Sequence, residues 1–322
     1  MTKAILISVA MFIFVFGGAL CLFGQGYPDR AINLVISMAP GDGVDVSGRL
    51  VADELAKLLK VPVIPVNKPG AAGGVGTDMV AKARNDGYTI LLTPSASIIY
   101  NRVLHPQDVS YDSFKDLAPL GLSTISPALM VARGDAPYKD FKEMMEYAKK
   151  NPGMVRCGTP GVGSVSDFDM EIIKTLAGVN ITIVPFKGAS PAITAVLGGH
   201  IDAVIAAVGP LISHVRSGKV KGVLISDKFS EFPEIPTLKQ LGYPQDLLGI
   251  WFAFFGPSGL SPQIKETLVL AIQKAVKDPV VSSKLSQLGM IQEFEPPEKL
   301  LARMQEEYKM VEEIAKRTGM VK

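Results

Sequence analysis

The chain has 322 residues, 33 lysines and arginines against 31 aspartates and glutamates, a net charge of +2, and 48% hydrophobic residues. Charge this evenly balanced, with no lysine/arginine block and no basic-aromatic interleaving, excludes a nucleic-acid-binding surface. Two cysteines, one of them inside the first apolar run, exclude a disulfide framework and a structural zinc site, so the core must supply the stability.

The first 26 residues have the layout of a secretory signal: Lys3, an apolar run over Ala4–Phe23, and small residues at Gly24 and Gly26 before a cut ahead of Tyr27. Left uncut, the run is about long enough to anchor the chain in a bilayer. Cleavage leaves 296 residues outside the cytoplasm, enough for two domains, with Cys157 as a small apolar core residue. Strand Asn33–Ala39 then feeds Pro40-Gly41-Asp42-Gly43-Val44-Asp45 and a helix over Val46–Lys60. Asp45 is placed to cap that helix, and Leu50, Val51, Leu55, Leu58 and Leu59 form its apolar stripe. Val61–Val66 feeds Asn67–Gly73 and a helix over Gly74–Arg84, and Tyr88–Thr93 ends in Pro94-Ser95-Ala96-Ser97.

Leu117–Val131 is a long extended stretch broken at Ser126-Pro127, and beyond it the alternation of strand and helix restarts. Helix Lys139–Lys150 precedes strand Val155–Cys157, whose loop Gly158–Ser164 opens a helix reaching Ala177. Ile181–Phe186, Ala203–Ala207 and Lys221–Ser226 follow as strands, with helices between them. An aromatic strand, Ile250–Phe255, precedes helices starting at Ser261-Pro262 and near Glu298, the latter closed by Gly319. Short β-branched runs alternating with amphipathic helices give an α/β protein with mostly parallel sheets. The restart predicts two similar lobes: 27–124, then 125–248, with 249–322 returning to the first.

The chemistry sits where strands run into glycine-rich helix starts. A helix start leaves several N–H groups unpaired and carries partial positive charge, and glycine lets a ligand atom come close. Such loops converging at strand ends make a pocket for a small anion. Nucleotide fingerprints fail: Gly41/Gly43, Gly74/Gly76 and Gly161/Gly163 all miss the third glycine, and Lys187 precedes its glycine. Ser164 lies outside a nucleophile elbow, and His105, His200 and His214 are isolated, without metal-ligand spacing. Asp167 and Asp169 fall in a first helical turn, where the dipole accounts for them. Loop amides, the hydroxyls of Thr93, Ser95, Thr159 and Ser164, and Lys187 remain. They hold a ligand without transforming it, so neither catalysis nor a cofactor or metal is expected.

Taken together, these loops resemble the extracytoplasmic receptors of tripartite tricarboxylate transporters, the Bug family. The likeness runs through Tyr27-Pro28-Asp29-Arg30-Ala31-Ile32, Ala39–Asp45, Asn67–Gly73 and Asp86-Gly87-Tyr88-Thr89. It continues through Gly161–Ser164, Val184-Pro185-Phe186-Lys187-Gly188-Ala189, Gly198-Gly199-His200-Ile201-Asp202 and Pro236-Thr237. The resemblance implies a periplasmic-binding-protein-like flytrap of type II, which captures a small carboxylate between its lobes, acts as a monomer in the periplasm, and delivers to membrane permease subunits. It places Ala39, Pro40, Gly41, Asp42, Gly43, Asp45, Gly70, Ala71, Ala72, Gly73, Gly161, Gly163 and Ser164 around the ligand, with Thr93, Ser95, Thr159 and Lys187 as wall residues. Three positions depart from the family pattern: Asp42 replaces a glycine, Asp167 a histidine, and Ala206-Ala207 a more polar pair. Either Asp42 points to solvent, or the ligand carries an amine or a single carboxylate. An enzyme acting on small acids in the same cleft, or a receptor that signals to a membrane sensor, stands as the alternative.

Overall fold

The computed structural model describes residues 26–186 and 188–321. The expected signal, apart from Gly26, and Lys187 lie outside the described residues. The strands are β1 (Ile32–Ile36), β2 (Val63–Asn67), β3 (Thr89–Pro94), β4 (Leu117–Ser126), β5 (Ala128–Arg133), β6 (Arg156–Thr159), β7 (Thr182–Pro185), β8 (Ala203–Ala207), β9 (Val220–Ile225), β10 (Ile250–Pro257) and β11 (Ile291–Gln292). They form a six-stranded sheet, ordered β11-β4-β10-β3-β1-β2, and a five-stranded sheet, ordered β7-β6-β8-β5-β9.

The two sheets repeat one plan. β1, β2 and β3 run together, as do β6, β7 and β8, because each is joined to the next through a helix that brings the chain back to the same end. One reversed strand is then inserted beside the third: β10 against β3 and β4, β5 against β8 and β9. Those inserted strands are the ones that arrive from the other lobe without a crossover helix. The mostly parallel sheets expected from the alternation are mixed sheets in which four strands of each run in one direction. Pro127 marks the first crossing, between β4 and β5.

Helix α1 (Gly43–Leu59) starts three residues earlier than the apolar periodicity predicts, with Asp42 as its cap in place of Asp45. The earlier start turns Val44, Val51, Ala52 and Leu55 inward and leaves Leu58 38% exposed. Helices α2 (Gly74–Ala81), α3 (Asn101–Leu104), α4 (Phe141–Lys150), α5 (Val165–Ala177), α6 (Ala189–Leu197) and α7 (Ile212–Arg216) follow. A single π-helical turn, Ala96–Tyr100, leads into α3, where the sequence reads only as a polar strand end. The C-terminal segment contributes α8 (Pro262–Val276), α9 (Pro279–Gln287) and α10 (Pro297–Thr318).

β10 divides the core by its two-residue period. Phe252 and Phe254 pack with α1 and α8, while Trp251, Ala253 and Phe255 join a larger cluster that includes α5 and α10. Full burial of each phenylalanine contributes on the order of 2–3 kcal/mol. Helix α10 packs on β4 and α3 of one lobe and on α5 of the other. At that junction the Trp251 indole N–H donates to Glu307 at 2.6 Å, and the Leu248 N–H donates to Asp169 at 2.6 Å. Tyr100 meets Phe168 edge-on at 5.2 Å. Asp169 thus serves the lobe junction, a role the dipole argument did not anticipate.

Candidate functional site

The loop after β1 is held by two carboxylates of different duty. Asp42, in extended backbone, accepts the Val44 N–H at 2.9 Å and so caps α1. Asp45 reaches back to accept the Gly41 N–H at 2.9 Å and also takes Arg49 Nε at 2.9 Å and Asn67 Nδ2 at 2.8 Å. Burial alone would raise the Asp45 pKa, but Arg49, Gly41 and Asn67 together hold it below the ordinary range. With its oxygens engaged and only 3% exposed, Asp45 clasps the loop; it is neither the cap nor a wall of the cleft.

The loop after β6 repeats this clasp. Asp167 accepts the Gly163 N–H at 2.9 Å, again from four residues further along, and Thr159 Oγ1 lies at 3.5 Å. The cap here is a neutral hydroxyl, Ser164 Oγ, which accepts the Asp167 N–H at 3.2 Å. Among the described residues Asp167 has no ion-pair partner in the role of Arg49, and burial pushes its carboxyl above the ordinary range. Val165 and Ser166 N–H, at the start of α5, have no hydrogen-bond partner among the described residues.

The third loop is shaped by backbone strain. Gly70, Ala71, Ala72 and Gly73 have φ of 133°, 47°, 48° and 94°. Two alanines in left-handed conformation cost roughly 1–2 kcal/mol each, which the surrounding structure must offset. Asn101 Nδ2 holds the Ala71 carbonyl at 2.7 Å, and Thr77 Oγ1 holds that of Gly73 at 2.9 Å. Beneath lies a buried hydroxyl cluster in which Thr93 contacts Ser37, Ser97 and Thr77.

All three loops open onto one cleft of about 1340 Å³. Gly41, Asp42, Gly43, Ala71, Ala72, Gly161, Gly163 and Ser164 line it. Asp42 thus lies at the edge of the cleft, with one carboxylate oxygen turned onto the Val44 N–H. Ala39, Pro40 and Gly70 are exposed and outside the lining, whereas Gly73 and Asp45 are buried behind it. Thr93, Ser95 and Thr159 are fully buried and sit beneath the walls, because the strand ends that carry them are covered by the loops. Ser95 Oγ has no partner there among the described residues. Sequence reasoning missed Phe252, Leu288 and Met290, which reach the cleft from the C-terminal third, and His105, which lines it from the end of α3. The aromatic run around Trp251 was the one local signal for Phe252; nothing local marks the others.

The model of the tripartite tricarboxylate transporter family receptor matches residues 47–321. The chain belongs to this family. BugT of Bordetella pertussis is 29% identical over 317 residues, 98% of this chain and 97% of that protein. A protein from the gbd 5' region of Cupriavidus necator is 34% identical over 273 residues, 82% of this chain and 80% of the relative. Among solved structures, a ligand-free TctC solute-binding protein from Polaromonas superposes with a TM-score of 0.81 at 27% identity, covering 90% of this chain and 99% of the other. MatC from Rhodopseudomonas palustris, with bound malate, gives a TM-score of 0.70 at 29% identity, covering 89% and 99%. The chain is a solute-binding receptor of this kind, and the cleft between its lobes is where such a receptor has room for a solute. No helix among the described residues is long and apolar enough to cross a membrane.

Proposed function

We propose that this receptor captures a small carboxylate in the cleft, as a monomer outside the cytoplasm, and passes it to membrane permease subunits without chemical change. The observation that carries the reading is the meeting of glycine-rich helix starts from two separate sheets on one cleft, with Gly41–Gly43 on one side and Gly161–Ser164 on the other. Helix starts favour negative charge, and the free Val165 and Ser166 N–H groups are donors suited to a carboxylate. The bound malate of MatC supports the same class of ligand. In this reading segments 27–124 and 249–322 work as one lobe and 125–248 as the other, and the strand membership of the two sheets supports that division.

Closure follows only if the ligand binds the closed arrangement more tightly than the open one. The test is mass spectrometry of whatever co-purifies with protein isolated from its native host, followed by calorimetry with the identified compound. A small organic acid, bound and recovered unaltered, is the expected result. A ligand without a carboxylate, or turnover of the acid, overturns the reading.

A further inference from the structure

The cleft is not uniform in chemistry. Ile250, Phe252, Leu288 and Met290 make an apolar wall that presses against the start of α1. A Cβ added to Gly43 would lie 3.0 Å from Met290 Cε and 3.5 Å from Phe252 Cζ. Asp42 lines the cleft at that same helix start, with one carboxylate oxygen on the Val44 N–H. Among the described residues, no lysine or arginine lines the cleft, whereas Asp42, Asp78 and Asp108 do. Asp78 is paired with Lys82 and bonded to Ser110. Asp42 has no ion-pair partner among the described residues. The opposite side offers an uncharged cap, Ser164, and the free N–H groups of Val165 and Ser166.

We propose that the receptor selects a monocarboxylate with an apolar body, and that Asp42 is the residue that excludes a second carboxylate. The inference rests on the carboxylate reading above and narrows it. The single carboxylate lies against the start of α5, where donors and dipole favour it, the cap adds no charge, and Asp167 is buried with its carboxylate turned back onto the Gly163 N–H. The hydrocarbon part covers the Phe252–Met290 wall, and removing that surface from water supplies much of the affinity. A diacid spanning the lobes would bring its second charge to Asp42 in a partly water-excluded cleft, where like charges repel more strongly than in bulk water. The helix start that would otherwise receive that charge already has a carboxylate, that of Asp42, on its Val44 N–H.

The test uses the full mature chain, unfolded in denaturant, dialysed free of bound compounds and refolded. It is titrated calorimetrically with straight-chain mono- and dicarboxylates matched in length, and with phenylacetate. Monoacids are expected to bind at least about tenfold tighter than diacids of the same length. Asp42→Asn keeps a good cap and should tighten diacid binding by about tenfold relative to monoacids of the same length. Diacids that bind the unaltered protein as tightly as monoacids, or an Asp42→Asn ratio that does not move, overturn the inference and leave the carboxylate reading standing. Binding of neither class overturns both.

Discussion

The loops after β1 and β6 are the same backbone device built with different charges. In each, an aspartate one turn into the helix reaches back four residues to a glycine N–H at 2.9 Å. In the first lobe that aspartate is neutralised by Arg49 and the cap is a second carboxylate, Asp42. In the second lobe the clasping Asp167 has no ion-pair partner among the described residues, and the cap is the hydroxyl of Ser164. Loop shape is thus conserved between lobes while electrostatic character is not. A glycine-rich helix start therefore defines a geometry for an anion, and the capping residue decides whether that geometry is available.

Exchanging the caps breaks the comparison most directly. Ser164→Asp gives the second lobe the cap of the first, and aspartate caps as well as serine, so the fold is expected to persist. Two like charges about 4 Å apart repel by about 4 kcal/mol at an effective dielectric near 20. Carboxylate affinity should fall at least about a hundredfold in calorimetry, with an unchanged melting temperature. Gly161→Asp is a poorer probe, because Gly161 has φ of 154° and the substitution would add backbone strain to the charge.

The clasps should separate next, in unfolding by urea. Asp45→Asn weakens a charged hydrogen-bond set and is expected to cost about 2–3 kcal/mol at neutral pH. The Arg49 part is discounted because that side chain is 48% exposed. Asp167→Asn should stay within about 1 kcal/mol, since no ion pair is lost. Their pH signatures are opposite. The lowered pKa of Asp45 gives stability that is complete above the unfolded carboxylate range and is lost as pH falls through the folded value. The raised pKa of Asp167 means that stability declines as pH rises from the unfolded value toward the folded one. Asp45→Asn should flatten the acid limb of the stability profile, and Asp167→Asn should remove the decline above it. Parallel profiles for the two variants would show that the lobes do not differ in this way.

The smallest effect belongs to the strained loop after β2. Ala72→Gly relieves a φ of 48° and should stabilise the fold by about 0.5–1 kcal/mol. Ligand affinity should fall by only about threefold, through lost pre-organisation. A destabilised variant would place the strain elsewhere.

Much of this was legible in the residues themselves. The strand–glycine–helix junctions, the Ser261-Pro262 helix start and the restart beyond Pro127 all follow from local propensity and period. The Asp45 clasp was not legible, because an aspartate near a helix start satisfies both a cap and a clasp by spacing alone, and only the true first residue of α1 decides between them. Helix α9 carries the same signature as α8, with Asp278 as cap and Pro279 at its first position, but its apolar spacing is too weak to extend a helix by pattern. The burial of Thr93 and Thr159 and the arrival of Phe252 and Met290 at the cleft depend on contacts far apart in the chain, which no local pattern encodes.

Helix α10 lies across both lobes, so the two crossing segments are not their sole tether. Any change in the gap between the lobes bears on the contact of α5 with α10, where Glu307 and Asp169 are buried. A pivot fastened at several separate places resists twisting. The jaws of this receptor are thereby kept in register, so that the amides of one side return to face the same loops of the other each time they meet.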